Sequence, residues 1–167
     1  MFPKLKTKKL KPDGFTLVEI LISLLIFGLV ITPIMYILTT NLSSATSVRN
    51  SYVASGLAQE GMEVVRNMRD TGWFAGASFG DSIPDGTFRV QWNSTALIPL
   101  GLNPNLLEDS SNGLYSYDVG SRTIFNRTVD ISTVVSNVEK RVVVTISWIE
   151  RGLPKSINAE EHLFNWR

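Results

Sequence analysis

Residues 15–37, FTLVEILISLLIFGLVITPIMYI, constrain this chain more than any other stretch. At 1.5 Å per helical residue the run is long enough to cross a bilayer core. Glu19 is its one charge, and the next charged residue is Arg49. The core helix of a soluble domain rarely stays uncharged for so long. Five lysines (Lys4, Lys6, Lys8, Lys9 and Lys11) precede the run, with only Asp13 against them. That bias predicts a cytoplasmic N-terminus and an extracytoplasmic remainder.

A secretory signal peptide has the same order of basic and apolar regions, but a shorter apolar core and a nearby small-residue cleavage site. Here the small residues Ser43, Ser44 and Ala45 lie well past the run. An uncleaved signal anchor fits the physics better: a cytoplasmic tail, one span and a domain outside.

Of the 167 residues, about 40 belong to this leader and apolar segment, and the rest suffices for one modest domain. Of 16 basic and 15 acidic residues, the first fourteen positions hold five lysines and Asp13; the rest therefore has 11 basic and 14 acidic. Direct nucleic-acid binding is not supported, since Arg66 and Arg69 stand among Glu60, Glu63 and Asp70. The absence of cysteine excludes disulfides, thiol catalysis and cysteine metal sites.

Gly14-Phe15-Thr16-Leu17-Val18-Glu19, between the lysine-rich leader and the apolar run, resembles the processing motif of type IV prepilins and type II secretion pseudopilins. The resemblance implies cleavage after Gly14 by a prepilin peptidase that also N-methylates Phe15. It implies that Glu19 serves assembly by facing the N-terminal amine of a neighbouring subunit. A carboxylate at membrane depth is strongly disfavoured unless paired or protonated, so such a pair sets axial register more than it adds net stability. The implied partners are the peptidase/N-methyltransferase, other pilin or pseudopilin subunits, an inner-membrane platform protein and, before assembly, membrane lipid. No cofactor is implied.

Gly28 and Pro33 interrupt the helix formers. Gly28 lies where fibre-forming relatives often have a helix-weakening glycine. Pro33 removes a backbone donor and predicts a kink in its preceding turn. The family's usual internal proline lies three residues further on, where this chain has Tyr36. Both residues read either as sites of helix flexibility or as tolerated features of a membrane helix.

Beyond the run, Val53, Leu57, Gly61, Val64 and Met68 recur at helical spacing, with Asp70-Thr71-Gly72 the expected stop. Gly61 costs about 1 kcal/mol against alanine in a helix, which points to close approach by a strand or another helix. Residues 57–70, LAQEGMEVVRNMRD, resemble the corresponding helix of PilV-like minor pilins and I-type minor pseudopilins.

The remainder reads as sheet. Phe88, Val90 and Trp92 alternate with Arg89 and Gln91 over 87–92. Residues 93–112 read as a loop with apolar anchors, and Tyr115 and Tyr117 as a short strand. Residues 121–132 predict a strand with Phe125, Val129 and Ile131 inward and Arg127 outward or at an edge. Residues 139–149 place Val142, Val144, Ile146 and Trp148 on one face, and Gly152 turns the chain into a last strand with Ile157, Ala159 and Leu163. Trp148, the Gly152 turn and Asn165-Trp166-Arg167 again resemble the minor pilin group.

The expected fold class is α+β and pilin-like: a long N-terminal helix, membrane-spanning in its first half, on a small mainly antiparallel sheet. The expected segments are a cleaved leader (1–14), a transmembrane part (15–38), an extracytoplasmic helical part (39–70) and a sheet-bearing head (71–167). No catalytic or metal site is expected. Asp81 and Asp85 are too sparse for an EF-hand loop and read as surface acids at turns. Ser110, Ser111, Asp118 and His162 supply the residue types of a hydrolase triad without a nucleophile elbow. The readings kept open are an assembly subunit, a signal-anchored binding module that does not polymerise and, as a weak third, a hydrolase.

Overall fold

A computed structural model describes residues 14–166; the leader through Asp13 and Arg167 lie outside the described residues. A single helix, α1, covers Leu17–Phe74. By internal contacts the chain divides into one unit ending at Ala45 and a second beginning at Thr46.

In the first unit every apolar side chain from Phe15 to Leu38 is exposed. Its hydroxyls bond back to the helix: Thr32 Oγ1 donates to the Gly28 carbonyl at 2.9 Å and Thr40 Oγ1 to that of Tyr36 at 2.9 Å. This part of α1 is long and apolar enough to cross a membrane.

In the second unit α1 buries Ala54, Leu57, Ala58, Gly61, Met62, Val64, Val65 and Met68, which recur at helical spacing, and then Trp73. The helix runs on through Asp70-Thr71-Gly72, past the expected stop. Its terminator is Gly76, at φ +85°. The Gly76 amide donates to the Trp73 carbonyl at 3.0 Å and that of Ala77 to Gly72 at 2.9 Å. These are the two bonds of a Schellman cap, whose left-handed position suits glycine. Gly72 answers to packing instead, because a Cβ there would collide with the Ser82 side chain. Trp73 is buried, whereas Phe74 is 88% exposed.

Eight strands follow: β1 (Gly86–Arg89), β2 (Ile98–Pro99), β3 (Leu107–Glu108), β4 (Tyr115–Ser116), β5 (Ser121–Arg122), β6 (Asn126–Val135), β7 (Glu139–Glu150) and β8 (Leu153–Phe164). One sheet has the order β2-β1-β6-β7-β8 and a second β4-β3-β5, with antiparallel neighbours throughout. The fold is therefore a long helix plus antiparallel sheet, an α+β pilin-like arrangement. Arg151 (φ +52°) and Gly152 (φ +77°) form the two-residue β7–β8 turn, whose positive φ matches strand twist.

The core holds Val129 and Ile131 of β6, Val142, Val144, Ile146 and Trp148 of β7, and Leu163 of β8 against α1. Each fully buried aliphatic side chain contributes on the order of 2 kcal/mol. A Cβ on Gly61 would stand 3.0 Å from Val144 Cγ1 and 3.3 Å from Arg127 Cδ, the close approach its sequence position suggested. β8 is an edge strand, and Glu161 on its helix-facing side meets Arg66 at 2.7 Å.

Three expectations about strand boundaries change. The strand over 121–132 is two elements, β5 and β6, because the chain turns between Arg122 and Asn126. The strand over 87–92 ends at Arg89; Gln91 then turns inward and Trp92 outward, at 46% exposure. The loop 93–112 contains β2 and β3, pairing with β1 and β4.

Candidate functional site

Gly14 precedes the helix and is exposed, with nothing within 4 Å of a Cβ placed on it. Phe15 is 83% exposed. The Gly14–Phe15 peptide bond thus lies outside the first turn of α1.

Thr16 starts the helix. The Glu19 amide donates to Thr16 Oγ1 at 3.3 Å, and Glu19 Oε2 accepts from the Thr16 amide at 3.4 Å. Thr16 Oγ1 also donates to the same carboxylate at 3.4 Å. This is a capping box, in which the N-cap hydroxyl and the carboxylate three residues on satisfy each other's backbone amides. The sequence carries its signal, T-x-x-E, which the reading by resemblance passed over. The carboxylate also sits at the positive end of the helix dipole. The bonds are long, so Glu19 is weakly held by its own chain.

Gly28 has open space around it, and α1 continues through Pro33. Proline leaves the Leu29 carbonyl without its usual helical donor, one residue beyond the Gly28 carbonyl that receives Thr32.

The residue types of a triad are not brought together. His162 Nδ1 lies 2.6 Å from Glu139 Oε1. Asp118 Oδ2 accepts from Gln91 Nε2 at 2.8 Å, and Ser111 Oγ donates to Asp109 Oδ1 at 2.7 Å. The turn acids are likewise engaged. Asp81 Oδ2 accepts from the Ser78 amide at 3.0 Å, while Asp85 Oδ1 takes Lys140 Nζ at 2.6 Å and Thr133 Oγ1 at 2.8 Å. The bond from Lys140 holds the Asp85 carboxyl below its ordinary range. Among the described residues no group of three or more His, Cys, Asp or Glu could hold a metal ion.

Arg127 corrects the sequence reading most sharply. It is fully buried on β6 instead of turned outward or set at an edge. Its Nη2 meets Glu60 Oε1 of α1 at 2.8 Å and its Nη1 donates to the Val90 carbonyl at 3.1 Å, while Nε has no partner. Charge argued for the surface, but the strand parity it shares with Phe125, Val129 and Ile131 argued for the core. The partner that makes burial tolerable stands 67 residues away.

Residues 11–35 match the Prokaryotic N-terminal methylation motif. The match spans Gly14, Phe15, Glu19, Gly28 and Pro33, the residues the sequence singled out, and is that of a type IV pilin-like prepilin signal. No curated protein and no solved structure matches the chain.

Proposed function

We propose that the chain is a structural prepilin, a minor subunit of a type IV pilus or pseudopilus. The observation that carries this reading is the methylation motif at the mouth of a helix whose apolar side chains from Phe15 to Leu38 are all exposed. A prepilin peptidase hydrolyses the Gly14–Phe15 bond, releases residues 1–14 and methylates the new amine of Phe15. Before assembly, 15–38 spans the membrane in contact with lipid, 39–70 continues outside it and 71–167 forms the extracytoplasmic head. The inner-membrane platform protein then passes the subunit into the filament.

Glu19 changes partners in that step, from its long bonds at Thr16 to the amine of a neighbouring subunit. Packed helices exclude water around the new short-range pair and leave an unpaired carboxylate disfavoured. Gly28 and Pro33 loosen the helix for packing. The head takes up initiation or tip contacts; similarity of residues 57–70 to PilV-like minor pilins and I-type minor pseudopilins supports the minor role.

The test is the intact mass and N-terminal fragment spectrum of membrane-extracted protein from cells with and without the prepilin peptidase. A chain beginning at N-methylated Phe15 only when the peptidase is present is the expected result. A chain still beginning near Met1 in peptidase-positive cells overturns the proposal and leaves a signal-anchored binding module.

A further inference from the structure

α1 begins at Leu17, just past the bond that processing would break, and one side chain marks that start. The first backbone bond of the helix runs from the Ile20 amide to the Thr16 carbonyl at 3.2 Å. Among the described residues, no helical bond reaches the carbonyl of Gly14 or Phe15. Thr16 is therefore the N-cap, and its Oγ1 accepts from the Glu19 amide at 3.3 Å. The donor there is backbone, so this bond survives removal of the Glu19 side chain. Upstream, Asp13 is the next residue whose side chain can cap a helix.

We infer that Thr16 is a positioning residue for processing: its cap keeps the start of α1 clear of the Gly14–Phe15 bond, so that the peptidase meets that bond free of helical hydrogen bonds. The inference rests on the prepilin reading above. Hydrolysis adds water across the bond and leaves a carboxylate on Gly14 and an amine on Phe15. A peptide bond inside a helical turn must first unwind, so its cleavage follows the fraction of chains in which it is open. Without the Thr16 hydroxyl, the helix can restart at Asp13. Gly14 and Phe15 then enter the first turn, and the Gly14 carbonyl takes the Val18 amide. Alanine at position 16, the strongest helix former, favours that shift. Chains in the shifted state dilute the competent substrate without altering the step that follows binding, so KM rises and kcat does not. The cap needs an acceptor oxygen at position 16 and not a hydroxyl as such, so serine and asparagine both serve.

The experiment measures cleavage of the full precursor in detergent micelles by purified prepilin peptidase, for wild type, Thr16→Ala, Thr16→Ser and Thr16→Asn. Thr16→Ala is expected to lose about fivefold in kcat/KM, the scale of a missing N-cap, with the loss carried by KM. Thr16→Ser and Thr16→Asn are expected within about twofold of wild type. The Cα chemical shifts of Gly14 and Phe15 in the same micelles should be helical in Thr16→Ala and non-helical in the other three chains. Thr16→Ala cut as fast as wild type, a loss carried by kcat, or no helical shift in Thr16→Ala overturns the inference and leaves the prepilin reading in place. Thr16→Asn as slow as Thr16→Ala also overturns it, because the peptidase would then be reading the hydroxyl directly. Failure to cut wild type overturns the prepilin reading and this inference with it.

Discussion

Glu19 and Glu60 lie on one helix in different circumstances. Glu19, in the unit ending at Ala45, is joined to Thr16 by bonds of 3.3–3.4 Å, and the apolar side chains around it are exposed. Glu60, in the unit beginning at Thr46, is joined at 2.8 Å to an arginine with no solvent exposure. Glycine repeats the contrast: Gly28 faces open space, whereas Gly61 is pressed against Val144. Continuity of the backbone therefore does not make α1 one structural element. Its C-terminal part is completed by its own sheet, and its N-terminal part leaves its side chains to surroundings outside the chain.

The strongest test of that contrast removes each carboxylate in turn. Glu60→Ala strands the buried Arg127 and should destabilise the second unit by about 3 kcal/mol, the low end for breaking a buried pair because Glu60 is partly exposed. The double variant Glu60→Met/Arg127→Met should recover most of that loss, since an apolar pair of similar volume needs no counter-charge. Glu19→Ala should leave head melting unchanged while lowering filament incorporation and sparing cleavage. Denaturant melting and filament fractionation read all three. Equal losses of head stability from Glu19→Ala and Glu60→Ala would erase the distinction.

The glycines give a smaller effect of the same form. Gly61→Leu forces a side chain into the Val144–Arg127 contact and should cost about 1–3 kcal/mol by overpacking. Gly28→Leu meets open space and should instead raise the helicity of the first part by about 1 kcal/mol or less. Circular dichroism of the two variants decides; destabilisation by both would mean that the first part is packed after all.

The smallest effect concerns pH within the second unit. The Lys140 bond depresses the folded-state pKa of Asp85. Its contribution is therefore complete above the ordinary aspartate pKa of about 3.9 and is lost as pH falls through the lower folded value. Wild type should lose more melting temperature than Asp85→Asn between pH 5 and pH 3. Identical losses would show that Lys140 draws nothing from Asp85.

Much of the fold was legible where local pattern and burial agree. Helical spacing placed Leu57, Val64 and Met68 in the core, and alternation placed Val142, Val144, Ile146 and Trp148 there. Residues 14–19 carry the prepilin-type signal in their local sequence. What escaped depended on distant partners. Arg127 was misplaced because a charged residue was weighed without its counter-ion on α1. Gln91 was misplaced because its inward turn is fixed by the Tyr117 amide, which donates to its Oε1 at 2.8 Å, and by Asp118. The helix end was misjudged because Gly72 looked like a stop, while the Schellman cap falls at Gly76.

β8 leaves twelve residues of strand at the margin of its sheet. An open margin of that length is a template on which a second chain can add a strand, the first step toward amyloid-like stacking. Glu161 stands near its C-terminal end and turns toward Arg66. A strand arriving there would have to cover a half-screened carboxylate, an inward-pointing charge of the kind that blunts sheet edges. This one ion pair works as a guard against edge-to-edge growth of the sheet.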